Sequence, residues 1–174
     1  MTLSGRVLWI LLLEFALAAC ATQPSVSLPL ASSSTSPSAA ASARTASAPA
    51  NCLVTPPDNQ LPPRESAPGP YLGNGKLWTL LWPGGVVVPE PYDLHPDGSI
   101  TMKWPWWRAN GKLQVTGRRV DGAASPLTAS IPEGYGDGGF QATGLVFSTG
   151  GCWEITGSAG GSSLTFVTYV SNPG

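Results

Sequence analysis

The chain has 174 residues with nine Lys or Arg, ten Asp or Glu and one His, and the resulting net charge of -1 offers no basic field to nucleic acid. One imidazole and three Cys exclude most catalytic repertoires that need several imidazoles or thiols. Charged residues make up 11%, against roughly 25% in an average soluble domain, while 21 Gly, 18 Pro and 7 Trp favour turns and strands over helices.

The first segment has a short basic start at Arg6, an apolar run from Val7 to Leu13 and a small-residue finish, Leu17-Ala18-Ala19-Cys20. That is the layout of a secretory signal. The run is shorter than the about 20 apolar residues a spanning helix needs, and Glu14 interrupts it. The last four residues resemble the lipobox of bacterial lipoproteins. The resemblance implies a signal peptide over residues 1–19, a thioether-linked diacylglycerol on Cys20, and attachment to the cell membrane on its extracytoplasmic side. Two or more acyl chains anchor a protein stably where one does so marginally. An ordinary cleaved signal with an incidental Cys20 is the competing reading.

From Cys20 to Asn51 the chain is dominated by Ser, Ala, Thr and Pro, with Arg44 its single charge. No large side chain recurs at helical or strand spacing, so nothing offsets the entropy of ordering and the segment is expected to be a disordered tether. As a flexible coil it spans about 30 Å. The same composition suits an O-glycosylated or wall-threading stalk.

Residues 52–174 hold every Trp except Trp9, every Tyr, and every Phe except Phe15. A domain of about 120 residues buries roughly two thirds of its unfolded surface, enough for an independent core. Short alternating runs predict an all-β, antiparallel Ig-like sandwich of about seven or eight strands. Leu77 to Trp82 is a strand with Trp78, Leu80 and Trp82 on one face, turned by Pro83-Gly84-Gly85 into Val86 to Val88. Ser99 to Trp104 places Ile100, Met102 and Trp104 together. Asn110-Gly111 reads as a hairpin leading into Lys112 to Thr116, after which a bulge at Gly117 would return Val120 inward. Leu127 to Ile131 is a weaker strand. Phe140, Ala142, Leu145 and Phe147 all face inward if parity switches at Gly144. Cys152 to Thr156 and Ser163 to Val170 close the domain, joined by residues 157–162.

With Cys20 lipidated, Cys52 and Cys152 remain as the one possible pair, in a compartment where disulfides persist. Closing a loop of about 100 residues contributes up to roughly 4.7 kcal/mol in the chain-entropy model. Alternation sets Cys152 opposite Trp153 and Ile155, so a bridge would clasp the domain's start onto the outer face of a late strand. Two free thiols are the alternative.

Asn74-Gly75-Lys76-Leu77-Trp78, Met102 to Arg108, Gly134-Tyr135-Gly136-Asp137 and above all Gly151-Cys152-Trp153-Glu154-Ile155-Thr156-Gly157 with Leu164-Thr165-Phe166-Val167 resemble an uncharacterised family of bacterial lipoproteins. The last strand pair is also similar to the closing strands of Ig-like bacterial surface modules. These resemblances imply an exported β-sandwich and carry over no catalytic residue.

The residues imply no cofactor, no metal and no enzyme. His95 lies alone in a turn-rich stretch, without a second His for zinc or a triad. Asp93, Asp97 and Glu133 to Asp137 match no calcium loop and read as turns. Gly134, Gly136 and Gly139 fit G-x-G-x-x-G, but no helix follows to meet a phosphate. No G-x-S-x-G elbow occurs, and Glu154 reads as an outward strand residue. Arg118 and Arg119 set one guanidinium on each face, the outward one solvated. The most informative stretch is Trp104-Pro105-Trp106-Trp107-Arg108. Pro105 is expected to interrupt the ladder and leave at least one indole exposed beside Arg108, as a platform for a sugar, peptide or protein; a small satellite core under a loop is the alternative. The leading reading is a non-enzymatic, lipid-anchored surface domain that binds a partner or stabilises an envelope assembly. The second is a carbohydrate- or peptide-binding module, its partner an envelope glycan or surface protein, and the third is an enzyme of unrecognised type.

Overall fold

Alternation of apolar and polar side chains builds nine strands among the residues that the computed structural model describes, 46–172. The signal segment, Cys20 and the tether to residue 45 lie outside the described residues. In chain order the strands are β1 (Tyr71–Gly73), β2 (Leu77–Leu80), β3 (Val86–Val87), β4 (Ile100–Arg108), β5 (Gln114–Arg119), β6 (Thr128–Ser130), β7 (Gly139–Phe147), β8 (Gly151–Ala159) and β9 (Ser162–Val170). They form two sheets, one ordered β1-β2-β4-β7-β6 and the other β3-β9-β8-β5. The domain is the all-β sandwich that alternation predicts.

One core lies between the sheets, with Trp104, Trp106, Trp153, Phe147 and Phe166 fully buried in it. Its inward residues follow the period of two closely: Ile100, Met102, Trp104, Trp106 and Arg108 on β4, then Leu145 and Phe147 on β7. Trp106 lies so close to β8 that a Cβ at Gly157 would collide with the indole. Gly157 is paired with Val115 and Leu164, and so is a strand residue rather than part of a loop. β8 and β9 run on to a tight turn at Gly160-Gly161, where the sequence suggested a six-residue connection.

Five further local expectations are corrected. The sandwich is not wholly antiparallel: the turn at Pro83–Gly85 carries the chain from the first sheet to the second, where β3 runs parallel to β9. Asn110-Gly111 does not close a hairpin, because β4 and β5 belong to different sheets and the turn crosses between them. Gly117 does not bulge. It stays paired with Ile155 and pressed against Leu127, leaving Val120 outward and 42% exposed. On β2 it is Leu77 and Thr79 that enter the main core, while Trp78 joins Tyr71, Trp107 and Leu80 in a second cluster on the outer face.

The fifth concerns β7. Its pairing with β4 is regular from Phe147↔Ile100 to Gly139↔Arg108, so parity does not switch at Gly144. Gln141 and Thr143 consequently point inward, and Phe140 is outward and 46% exposed. Apolar content alone suggested the switch; a regular ladder retains its hydrogen bonds and tolerates two polar residues that find partners.

Cys52 and Cys152 are bridged, with 5.6 Å between their Cα atoms, and both are buried. As the alternation implied, Cys152 lies opposite Trp153 and Ile155. The bridged segment also bonds to β9, where Thr55 N donates to Val167 O at 2.9 Å and Val167 N donates to Thr55 Oγ1 at 2.8 Å.

Candidate functional site

The ladder runs unbroken through Pro105. Thr79 Oγ1 donates to Pro105 O at 2.9 Å, so Pro105 turns its main-chain polar groups towards β2, and the last β2 pair is Thr79↔Trp106. The missing N–H therefore falls where β2 is leaving the sheet, and the ladder to β7 does not need it.

Continuous alternation sends Trp104, Trp106 and Arg108 inward and Trp107 outward. The predicted exposed indole is absent: Trp104 and Trp106 are fully buried, and Trp107 is 7% exposed. Trp107 is covered because residues ahead of β1 lie over the outer face. Asp58 N and Asn59 N donate to Tyr71 O, and Glu65 Oε1 accepts from Trp107 Nε1 at 2.9 Å. Trp104 Nε1 donates to Thr79 Oγ1 at 2.8 Å. The stretch Trp104–Arg108 is thus packing rather than a flat platform.

Arg108 nevertheless leads to a site. It lies at the inner end of β4, 3% exposed, beside a cleft of about 550 Å³ at the end of the sandwich where the 109–113 and 131–138 segments meet. The cleft is lined by Arg108, Lys112, Leu113, Gln141 and the run from Ile131 to Asp137, including Tyr135. Arg108 Nη1 donates to Gly111 O and Nη2 donates to Gly136 O at 2.9 Å, tying both segments to the sheet. Gln141 Nε2 donates to Pro132 O at 2.9 Å. One donor and one acceptor on these two side chains have no partner, namely Arg108 Nε and Gln141 Oε1, and Trp106 Nε1 on the same face is also unpartnered. Buried polar atoms are nearly always paired, by protein groups or by ordered water, so these three atoms are positions where a bound water or a ligand atom would be stabilised.

The sequence reading reached Arg108 and missed Gln141 and Lys112. A polar residue at an inward position would have been visible had the parity of β7 been kept. Tyr135 entered that reading within a turn-rich loop, and its ring now packs edge-on against Phe140, with centroids 6.1 Å apart.

The other chemical candidates disperse. His95 Nε2 lies 2.7 Å from Thr101 Oγ1 in an exposed turn. Gly134, Gly136 and Gly139 all have positive φ and lead into strand β7, not a helix. Arg118 pairs with Glu154 at 2.8 Å on the surface, and Arg119 with Asp121 at 2.6 Å in a half-buried setting. The bond from Arg119 holds the Asp121 carboxyl below the ordinary aspartate range. Asp97 is held low by hydrogen bonds from Ser99, and burial pushes the Tyr71 hydroxyl up, helped by the charge of Glu65. Among the described residues no three His, Cys, Asp or Glu gather as a metal site, and no helix is long and apolar enough to cross a membrane.

Comparison with protein-family profiles, with curated proteins and with solved structures gives no match for this chain.

Proposed function

We propose that the protein is an exported, lipid-anchored binding domain, held by acyl chains on Cys20 and presenting the loop-end cleft to ligand beyond a Ser/Ala/Pro-rich tether, without chemistry of its own. The anchoring half of this reading is supported by Leu17-Ala18-Ala19-Cys20 and by the tether that follows. The binding half is carried by one observation: the cleft is bordered by two buried side chains, Arg108 and Gln141, each with a polar atom that the protein leaves unpaired.

Both halves are open to experiment. Metabolic labelling with a fatty acid should mark the chain, and Cys20→Ala should abolish the label and release the protein from membranes; persistent label in the variant overturns the anchor. In the ¹⁵N-labelled full chain, the Arg108 Nε–H resonance should move on titration with at least one small polar probe. If neutral, anionic and peptidic probes all leave it still, the cleft is not a ligand site.

A further inference from the structure

We propose that the free edge of β7 at Phe140–Ala142 is a docking site for an extended peptide, which adds there as an antiparallel strand in line with β6. The edge is made of main-chain groups outside the cleft, so the proposal stands whether or not the cleft takes a ligand.

Strand parity creates this edge. Pro105 O faces β2, where it accepts from Thr79 Oγ1, and Ala109 N donates to Lys76 O on the same side. Pro105 and Trp107 therefore turn their main-chain groups away from β7, and their partners Ala142 and Phe140 turn theirs away from β4. β6 lies along that side of β7 but pairs only with Gly144, Leu145 and Val146. Continued, it would set Pro132 opposite Ala142, where proline has no N–H to give. The chain leaves instead: Ile131 packs against the main core, and Pro132 O accepts from the Gln141 side chain. Among the described residues no hydrogen bond to the N–H or C=O of Phe140 or Ala142 takes the place of β6. Phe140 is 46% exposed and Ala142 half-buried, so water serves these groups in the free domain.

Two donors and two acceptors, on residues about 7 Å apart, match the main chain of another strand. Exposed edges are ordinarily blunted by charge, proline or a bulge. Residues 139–143 contain no charge and no proline, and their pairing with β4 is regular. On the outer face Tyr135 packs edge-on against Phe140 at 6.1 Å, an apolar flank for the peptide side chain that lies opposite Phe140. The chain's own tether is a poor occupant, since residues 21–51 carry four prolines and no aromatic residue. A second copy joined β7 to β7 about a two-fold axis at Gln141 would bring its Gly138 against Gly144, which Ser130 already holds. The occupant is therefore an extended segment of another protein, with an aromatic residue opposite Phe140 and no proline N facing the edge.

The test titrates the ¹⁵N-labelled full chain, purified in detergent, with acetyl-Thr-Val-Ser-Phe-Thr-amide. The Phe140 and Ala142 amide resonances should shift, and their hydrogen exchange should slow. In the bound register the valine and phenylalanine N–H groups face β7 and the serine N–H faces solvent. N-methylation of the first two should abolish binding, and N-methylation of the serine should spare it. Phe140→Ala should weaken the peptide about fivefold. Ala142→Pro removes a donor that the ladder to β4 does not use and should weaken it about tenfold. The N-methylated peptides test the same bonds in the unaltered protein. No shift at Phe140 and Ala142 overturns the proposal. Equal binding of the two N-methylated forms overturns it as well, by showing contact through side chains alone. Amides already protected in a protein that sediments as a dimer would assign the edge to a second copy and overturn it too.

Discussion

Replacing both Cys52 and Cys152 by Ala opens a loop whose ends are 100 residues apart in sequence. For a loop of that size the chain-entropy model gives about 4.7 kcal/mol of stabilisation, arising mainly in the unfolded chain, which the bridge keeps from expanding. Native contacts survive the loss, because Thr55 still bonds to Val167 on β9. The folded sandwich should therefore persist at a much lower stability, and a loss of about 3 to 5 kcal/mol would be a large share of the roughly 5 to 15 kcal/mol of an ordinary domain. Urea denaturation followed by tryptophan fluorescence is the assay. The midpoint should fall, and the m-value should rise because the unbridged chain exposes more surface on unfolding. Reduced parent protein separates the two causes, since it lacks the bond and keeps both buried sulfurs. Curves for the parent, the reduced parent and the double variant that agree within about 1 kcal/mol would refute the account, leaving the segment around Cys52 pinned by its hydrogen bonds alone.

Trp106→Ala should lower stability by about 3 to 5 kcal/mol, because the indole is fully buried against Gly157 and Phe166. Trp107→Ala should also lower the melting temperature clearly, by opening the cluster with Tyr71 and Phe140; an unchanged value would mean that Trp107 is not covered in solution. Asp121 is held below its ordinary pKa of 3.8, so in acid the unfolded chain takes up a proton before the folded one does. Its contribution is complete above the ordinary value and is lost as pH falls through the lowered one. Thermal melts from pH 5 downwards should show that loss, with Arg119→Ala flattening the slope; an unaltered slope would dissociate the pair from acid stability.

Much of the architecture is legible in local sequence. Period-two alternation needs only neighbouring residues to be read, and it places Ile100, Met102 and Trp104, Leu113 and Val115, and Trp153 and Ile155 correctly inward. The same parity sets Cys152 outward, and with it the side on which the bridge to Cys52 closes. Alternation does not say what covers a strand's second face. Trp107 is outward and still buried because Glu65, from ahead of β1, bonds to its indole, and Trp78 because it packs with Tyr71 and Leu80, contacts that have no local signature. Nor does a turn motif say which sheet follows it, so Asn110-Gly111 can cross the sandwich as readily as close a hairpin. Pro105 shows the same division, since its cost depends on which neighbour its missing N–H faces, and here that neighbour is a strand already ending. The cleft belongs wholly to the tertiary level. Arg108, Lys112, Tyr135 and Gln141 come from two strands and two connections, and they meet because the sheets pack with those loops at one end; the atoms left unpaired there are a property of packing, which no single segment encodes.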